Sequence, residues 1–146
     1  MAAVDGSLER ILWSRASEPG WSTPYPLIDG DIVIATWAKS GTTWTQQIVS
    51  QLIFNGAEGI PVGDIAPWVD MRIIPLEDII GLVESQTHRR FLKTHLPADA
   101  LRFSPQAKYL YVGRDGRDVA WSYFNHMMRM SQELDRKSTR LNSSHS

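Results

Sequence analysis

The chain has 146 residues, 42% hydrophobic and 21% charged, with a net charge of −1 and no cysteine. Those figures suit one globular domain with a core of its own. They exclude disulfides, thiolate metal sites and a global positive field for nucleic acid, and no apolar run nears the roughly 20 residues a membrane-spanning helix needs.

Met1–Arg10 is small and polar, with Asp5 and Glu9, so it does not read as a signal peptide and a cytoplasmic location is expected. Ser7–Ser14 predicts a short helix capped by Ser7. Arg15–Gly30 carries Pro19, Gly20, Pro24, Pro26 and Gly30 and reads as an irregular approach to the first strand. Ile32, Val33 and Ile34 form that strand, a buried one. The chain then turns through Ala38–Gly41. From Thr42, apolar residues recur at helical spacing: Trp44, Ile48 and Leu52, with Val49 and Ile53 beside them, until Asn55-Gly56 stops the helix. A strand, a small-residue loop and a helix aim free backbone N–H groups and a helix dipole at one point, which makes an anion site. Lys39 adds a charge there, and Ser40, Thr42 and Thr43 add hydroxyl donors. The plainer alternative is an ordinary βα turn with a Ser or Thr cap.

Gly59–Arg72 is loop-like, punctuated by Pro61, Gly63 and Pro67. It holds Ile60, Ile65, Trp68, Val69 and Met71, too many apolar residues for a solvated linker; it is either one wall of an acceptor pocket or a loop packed over the core. Pro75–Ser85 predicts a helix with proline first and Glu77 and Asp78 in the opening turn, weakened by Gly81. Arg90–Lys93 is a short strand and Ala98–Ala107 a connector with one helical turn. Lys108–Gly113 is a further strand, and Arg117–Leu134 a helix with Val119, Tyr123, Met127 and Met130 on one face. Strands alternating with helices imply an α/β fold: a parallel, P-loop-like sheet flanked by helices, with ligands at the carboxyl ends of its strands.

Asp135–His145, DRKSTRLNSSH, resembles the translation of a common sequencing-adapter oligonucleotide. Residues 1–134 are therefore taken as the domain portion, and 135–146 as a non-native or disordered tail.

Three clusters fall at strand ends. In the first, lysine precedes the single glycine, whereas a nucleoside-triphosphate loop reads G-x-x-x-x-G-K-[ST]. The second is Lys93-Thr94-His95-Leu96-Pro97. Histidine gains and loses a proton near neutral pH, and on an extended chain Lys93 shares a face with His95; a structural, hydrogen-bonded histidine is the alternative. In the third, Arg114 leaves a strand and Ser122 lies about two turns into the next helix, a guanidinium and a hydroxyl suited to a terminal phosphate. An Arg–Asp surface network with Asp115, Arg117 and Asp118 is the alternative there.

Thr36-Trp37-Ala38-Lys39-Ser40-Gly41-Thr42-Thr43-Trp44 resembles TYPKSGTTW, the 5′-phosphosulfate loop of sulfotransferases that use 3′-phosphoadenosine 5′-phosphosulfate (PAPS). Trp37 replaces the tyrosine and Ala38 the proline, which frees one φ angle. KTHLP resembles that family's catalytic segment. Tyr111–His126 resembles its 3′-phosphate segment, with Arg114, Asp118 and Ser122 in register. The late family segment R-K-G-x-x-G-D-W-K is absent, so the resemblance implies a truncated sulfotransferase fold.

It also implies roles. Lys39 would stabilise leaving-group charge; Ser40, Gly41, Thr42 and Thr43 would hold the 5′-phosphate and sulfate; Trp44 would stack on adenine. Arg114 and Ser122 would hold the 3′-phosphate. Lys93 and His95 would flank the transferring group, with His95 as base. PAPS is then a co-substrate, no metal is expected, and the acceptor is a small phenol, alcohol, amine or sterol. A homodimer stays open. The rival readings are a P-loop nucleotide kinase and a non-catalytic nucleotide-binding fragment.

Overall fold

A computed structural model describes residues 27–71, 73–101 and 103–143; the helix expected over Ser7–Ser14 lies outside them. The elements are β1 (Ile32–Thr36), α1 (Thr42–Ile53), the single turn α2 (Val62–Ile65), α3 (Leu76–Glu84), β2 (Phe91–Thr94), a 3₁₀ turn at Ala98–Ala100, β3 (Lys108–Val112) and α4 (Gly116–Ser143). The sheet is parallel with order β2-β1-β3. Ile32 pairs with Phe91 on one side and Lys108 on the other, so the three strands begin level and their carboxyl ends open on one edge.

Successive side chains of a strand point to opposite faces, and both faces are covered at β1 and β2. Ile34 packs with Val49 of α1, Ala66 and Phe91; Val33 packs with Val69, Leu92 and the α3 residues Ile79 and Val83. That is why β1 reads as an unbroken apolar run. At the opposite end from the ligand edge, the Asp31 carboxylate is buried and takes a paired contact from Arg90, Nε at 2.8 Å and Nη2 at 2.5 Å, while accepting the Ile28 N–H at 2.8 Å. This ties the starts of β1 and β2 together.

The segment read as a loop contains α2 and then runs alongside β2. Lys93 N–H donates to the Pro67 carbonyl, and Val69 N–H to the Lys93 carbonyl, each at 3.0 Å. Pro67–Val69 thus closes the outer edge of β2. The other outer strand differs: in β3, Tyr111 is 81% exposed and Leu110 39%.

Two expectations are corrected. The stripe that helical spacing marks on α1 is not the one the helix buries: Trp44, Ile48 and Leu52 are exposed, and Thr42, Gln46, Val49 and Ser50 face the sheet. Small and polar side chains let α1 approach closely there, and Gln46 Nε2 donates to the buried Ala66 carbonyl at 3.2 Å. The last helix does not end at Leu134 but continues to Ser143, since RKSTRLNS contains no glycine or proline to break it. The boundary at Leu134 coincides with no change in secondary structure. Asn55 and Gly56 both take positive φ, 52° and 78°, and Gly56 N–H closes on the Gln51 carbonyl at 2.9 Å, which turns the chain off α1. Pro75 is the cap of α3, one residue before its first helical position.

Candidate functional site

The loop between β1 and α1 is folded tightly. Lys39 has φ 65° and Gly41 φ 108°, both left-handed. Glycine takes that conformation freely, whereas a lysine there costs about 1–2 kcal/mol. The loop is held by the Ser40 N–H donating to the Trp37 carbonyl at 3.1 Å and by a 2.5 Å contact between the buried hydroxyls of Thr36 and Thr42. Thr42 thus spends its hydroxyl on the scaffold, while Thr43 stays exposed. The first main-chain bond of α1 runs from Thr45 N–H to the Gly41 carbonyl. The N–H groups of Thr42, Thr43 and Trp44 precede it and have no acceptor within the helix. No side chain caps this end and no acidic residue lies in its first turn. The plainer reading, a Ser- or Thr-capped turn, is therefore not the geometry adopted.

Arg114 leaves β3 beside this loop and donates from Nη1 to the Lys39 carbonyl at 3.0 Å, pinning the strained residue. An open trough of about 880 Å³ runs from Ser40 and Gly41 past Trp44, Thr45 and Ile48 to Tyr109–Val112 and Arg114. Trp44, 78% exposed, offers a free indole face along it. The Arg–Asp surface network expected as the alternative for this segment is also present: Arg117 meets Asp115 at 2.9 Å, and Arg114 Nε lies 3.8 Å from Asp118. Ser122 is half-buried in the second turn of α4. Lys39, Ser40, Gly41, Thr42, Trp44 and Arg114 are thus gathered around one loop, and the residues fit a nucleotide carrying phosphate at one end and a flat base at the other.

The second cluster sits where β2 ends next to β1. The His95 ring reaches across to the last residue of β1 and places Nδ1 2.7 Å from the Thr36 carbonyl. A carbonyl oxygen only accepts, so Nδ1 carries the proton and Nε2 keeps a free lone pair. Burial pushes the His95 pKa down from 6.5, helped by the Lys93 charge and opposed by the Thr36 bond and Asp70, so the ring is neutral at ordinary pH. Trp68 stands edge-on to His95 with ring centroids 4.8 Å apart, and the Lys93 ammonium lies 5.6 Å above the same indole. Lys93 and His95 therefore do share one side of the chain, with Trp68 as the wall between them. Burial also lowers the Lys93 pKa, against the pull of Asp70.

Asp70 is the residue that sequence reasoning missed. It is fully buried, and its carboxylate accepts the His95 main-chain N–H at 3.2 and 3.4 Å. Burial raises its pKa; Thr94, Trp68 and His95 oppose that rise. The Trp68 indole N–H faces this carboxylate without closing a full hydrogen bond on it. A lone acid inside the apolar run IAPWVDM was the available signal, because such a residue enters a core only when its neighbours satisfy it.

The sulfotransferase domain profile matches residues 29–144. The chain belongs to the sulfotransferase family. It is 43% identical over 108 residues to a glycolipid sulfotransferase of Mycobacterium tuberculosis, a match covering 73% of this chain and 33% of that one. It is 37% identical to mouse sulfotransferase 1B1 over 121 residues, 77% of this chain and 38% of that one. Among solved structures it resembles retinol dehydratase in a complex with retinol and PAP, with a TM-score of 0.57 and 26% identity over 71% of this chain and 41% of that one. The same enzyme with androsterone and inactive cofactor PAP gives a TM-score of 0.54 at 25% identity. The chain thus spans 33–41% of the length of these relatives. Among the described residues no helix is long and apolar enough to cross a membrane.

Proposed function

We propose that this chain forms the first part of a PAPS-dependent sulfotransferase of cytosolic type, carrying the donor loop and the catalytic base but not a closed donor site. The supporting observation is the bond from His95 Nδ1 to the Thr36 carbonyl. It fixes the candidate base one residue before the Trp37–Gly41 loop, so base and anion site share a single stretch of backbone.

PAPS would supply the sulfuryl group. The N–H groups opening α1, with Ser40 and Thr43, would hold its 5′ end, and Arg114 and Ser122 the 3′-phosphate. Trp44 would stack on the base. Lys39 would neutralise charge gathering on the departing phosphate oxygen. His95 Nε2 would take the proton from an acceptor hydroxyl or amine as its oxygen or nitrogen bonds to sulfur, and Lys93 would sit against the sulfuryl oxygens. Trp68 would exclude water beside both. By analogy with phosphoryl transfer the work is positioning and charge stabilisation. The retinol and androsterone of the structural neighbours favour a small apolar alcohol as acceptor.

The test is titration of PAP and of adenosine 5′-phosphate into the 146-residue chain by calorimetry, with and without magnesium. Measurable, magnesium-independent binding that prefers PAP is expected, with no sulfate transfer to a phenol and sterol panel. Magnesium-dependent binding that favours a nucleoside triphosphate would support the kinase reading. Absence of binding would leave a non-catalytic fragment.

A further inference from the structure

The polar cluster behind His95 contains a charged group to which the proposed chemistry assigns no task. Asp70 has no exposed surface, and a carboxylate in that setting is costly unless its surroundings favour the charge. Its neighbours offset part of that cost, while burial still holds its pKa above 3.8. The His95 main-chain N–H donates to both of its oxygens, at 3.2 and 3.4 Å. The Thr94 side chain, whose hydroxyl accepts the Leu96 N–H at 3.0 Å, also favours the charge. Lys93 and His95, two residues apart at the end of β2, lie near enough for its charge to act on both side chains.

We infer that Asp70 is the positioning residue for proton transfer: it holds the His95 main chain so that the ring seats against Thr36, and it places a carboxylate behind that ring. The seating follows from geometry. The Asp70 contact fixes the main chain of His95 where β2 ends, and the ring then spans to the Thr36 carbonyl at 2.7 Å. Asp70 is itself placed by the Pro67–Val69 segment, which runs in register with Lys93. The charge follows from arrangement. The titratable groups facing His95 are Asp70 and Lys93; the Thr36 carbonyl and the Trp68 ring complete its surroundings without net charge. Without Asp70 the Lys93 cation would be the one charge acting on His95, with the Thr36 bond alone opposing burial there, and nothing would oppose burial at Lys93. A base whose proton affinity falls too far accepts a proton less readily in the transition state. The role in catalysis rests on the sulfotransferase reading above; the electrostatic coupling does not.

The experiment compares wild type with Asp70→Asn and Asp70→Glu in the 146-residue chain, following the His95 ring nitrogens by NMR across pH. Asparagine keeps an acceptor for the main-chain N–H and removes the charge; glutamate restores the charge. In Asp70→Asn the His95 midpoint should move down by about one unit, tenfold in proton affinity, and it should return toward wild type in Asp70→Glu. PAP binding, which does not involve this cluster, should be unchanged in both. In the full-length enzyme the acid limb of the kcat/KM profile should move down with the same midpoint, at unchanged donor KM. An unmoved His95 midpoint in a folded Asp70→Asn chain would overturn the inference. A moved midpoint, with full-length transfer insensitive to His95→Ala, would keep the coupling and overturn the sulfotransfer role of the base instead. If Asp70→Asn does not fold, the glutamate variant decides: wild-type His95 titration sustains the inference, and a displaced midpoint overturns it.

Discussion

The two outer strands of this sheet make opposite contacts. On the β2 side the chain finishes its own packing. Pro67–Val69 takes the strand's free hydrogen bonds, Phe91, Leu92 and Thr94 are fully buried, and Trp68 roofs Lys93 and His95. On the β3 side the described residues leave it open. Leu110 and Tyr111 are exposed, as are Trp44, Ile48 and Leu52 on α1 and Trp121 and Phe124 on α4. The proton-transfer half of the proposed site is therefore enclosed by β1, β2 and the Pro67–Val69 segment, whereas the nucleotide half is an open trough. The difference teaches that the candidate base does not depend on whatever covers β3. In the proposed site the donor would be held on that open side, by the loop with Trp44, Arg114 and Ser122.

The largest expected effect lies on the closed side. In the full-length enzyme His95→Ala should reduce transfer by about 10²–10⁴-fold, the usual range for a general base, with donor binding retained. Donor affinity and turnover measured on one preparation check this. Turnover within about threefold of wild type, far below that range, would make His95 structural.

Packing should divide along the same line. Phe91→Ala should cost about 3–5 kcal/mol in urea unfolding, as for other buried aromatics, enough to abolish a cooperative transition in a marginal chain. Trp44→Ala, on the open side, should stay within about 0.5 kcal/mol. Equal losses would mean that the exposed stripe is covered in solution.

Arg114→Ala sharpens the picture of the open half. Loss of a charged hydrogen bond costs about 1.5–3 kcal/mol, so PAP should weaken by that amount and adenosine 5′-phosphate, which lacks the 3′-phosphate, by much less. Equal weakening of the two would show that Arg114 acts through its bond to the Lys39 carbonyl, by holding the loop.

The smallest effect is in the pH dependence of stability. The folded pKa of His95 lies below 6.5, so between that folded value and 6.5 the unfolded chain binds more protons. Stability from this group is present above 6.5 and lost as pH falls through the folded value. Asp70 runs the other way: raised above 3.8 when folded, it contributes stability below 3.8 that is lost as pH rises through its folded value. Urea midpoints against pH should show the rising branch in wild type and lose it in His95→Ala.

Much of this was legible in the sequence. The apolar run Ile32–Ile34, the aromatic and β-branched run Lys108–Val112 and the breakers between them point to a parallel α/β arrangement, in which β1 and β2 are buried as continuous apolar sequence requires while β3 stays largely exposed. The order of lysine and glycine in AKSGTTW determines the loop type, because local backbone conformation follows from local residues. Tertiary structure alone decided which stripe of α1 is buried. Spacing marks Trp44, Ile48 and Leu52 as a face, but cannot say whether the sheet meets that face or the one carrying Thr42, Gln46 and Val49. It alone also brought Asp70 and Thr36 to His95. Those residues are 25 and 59 positions away along the chain and meet only because β1, β2 and the Pro67–Val69 segment lie side by side. A contact between distant segments has no periodicity to reveal it; it follows from strand order, and strand order is set by packing.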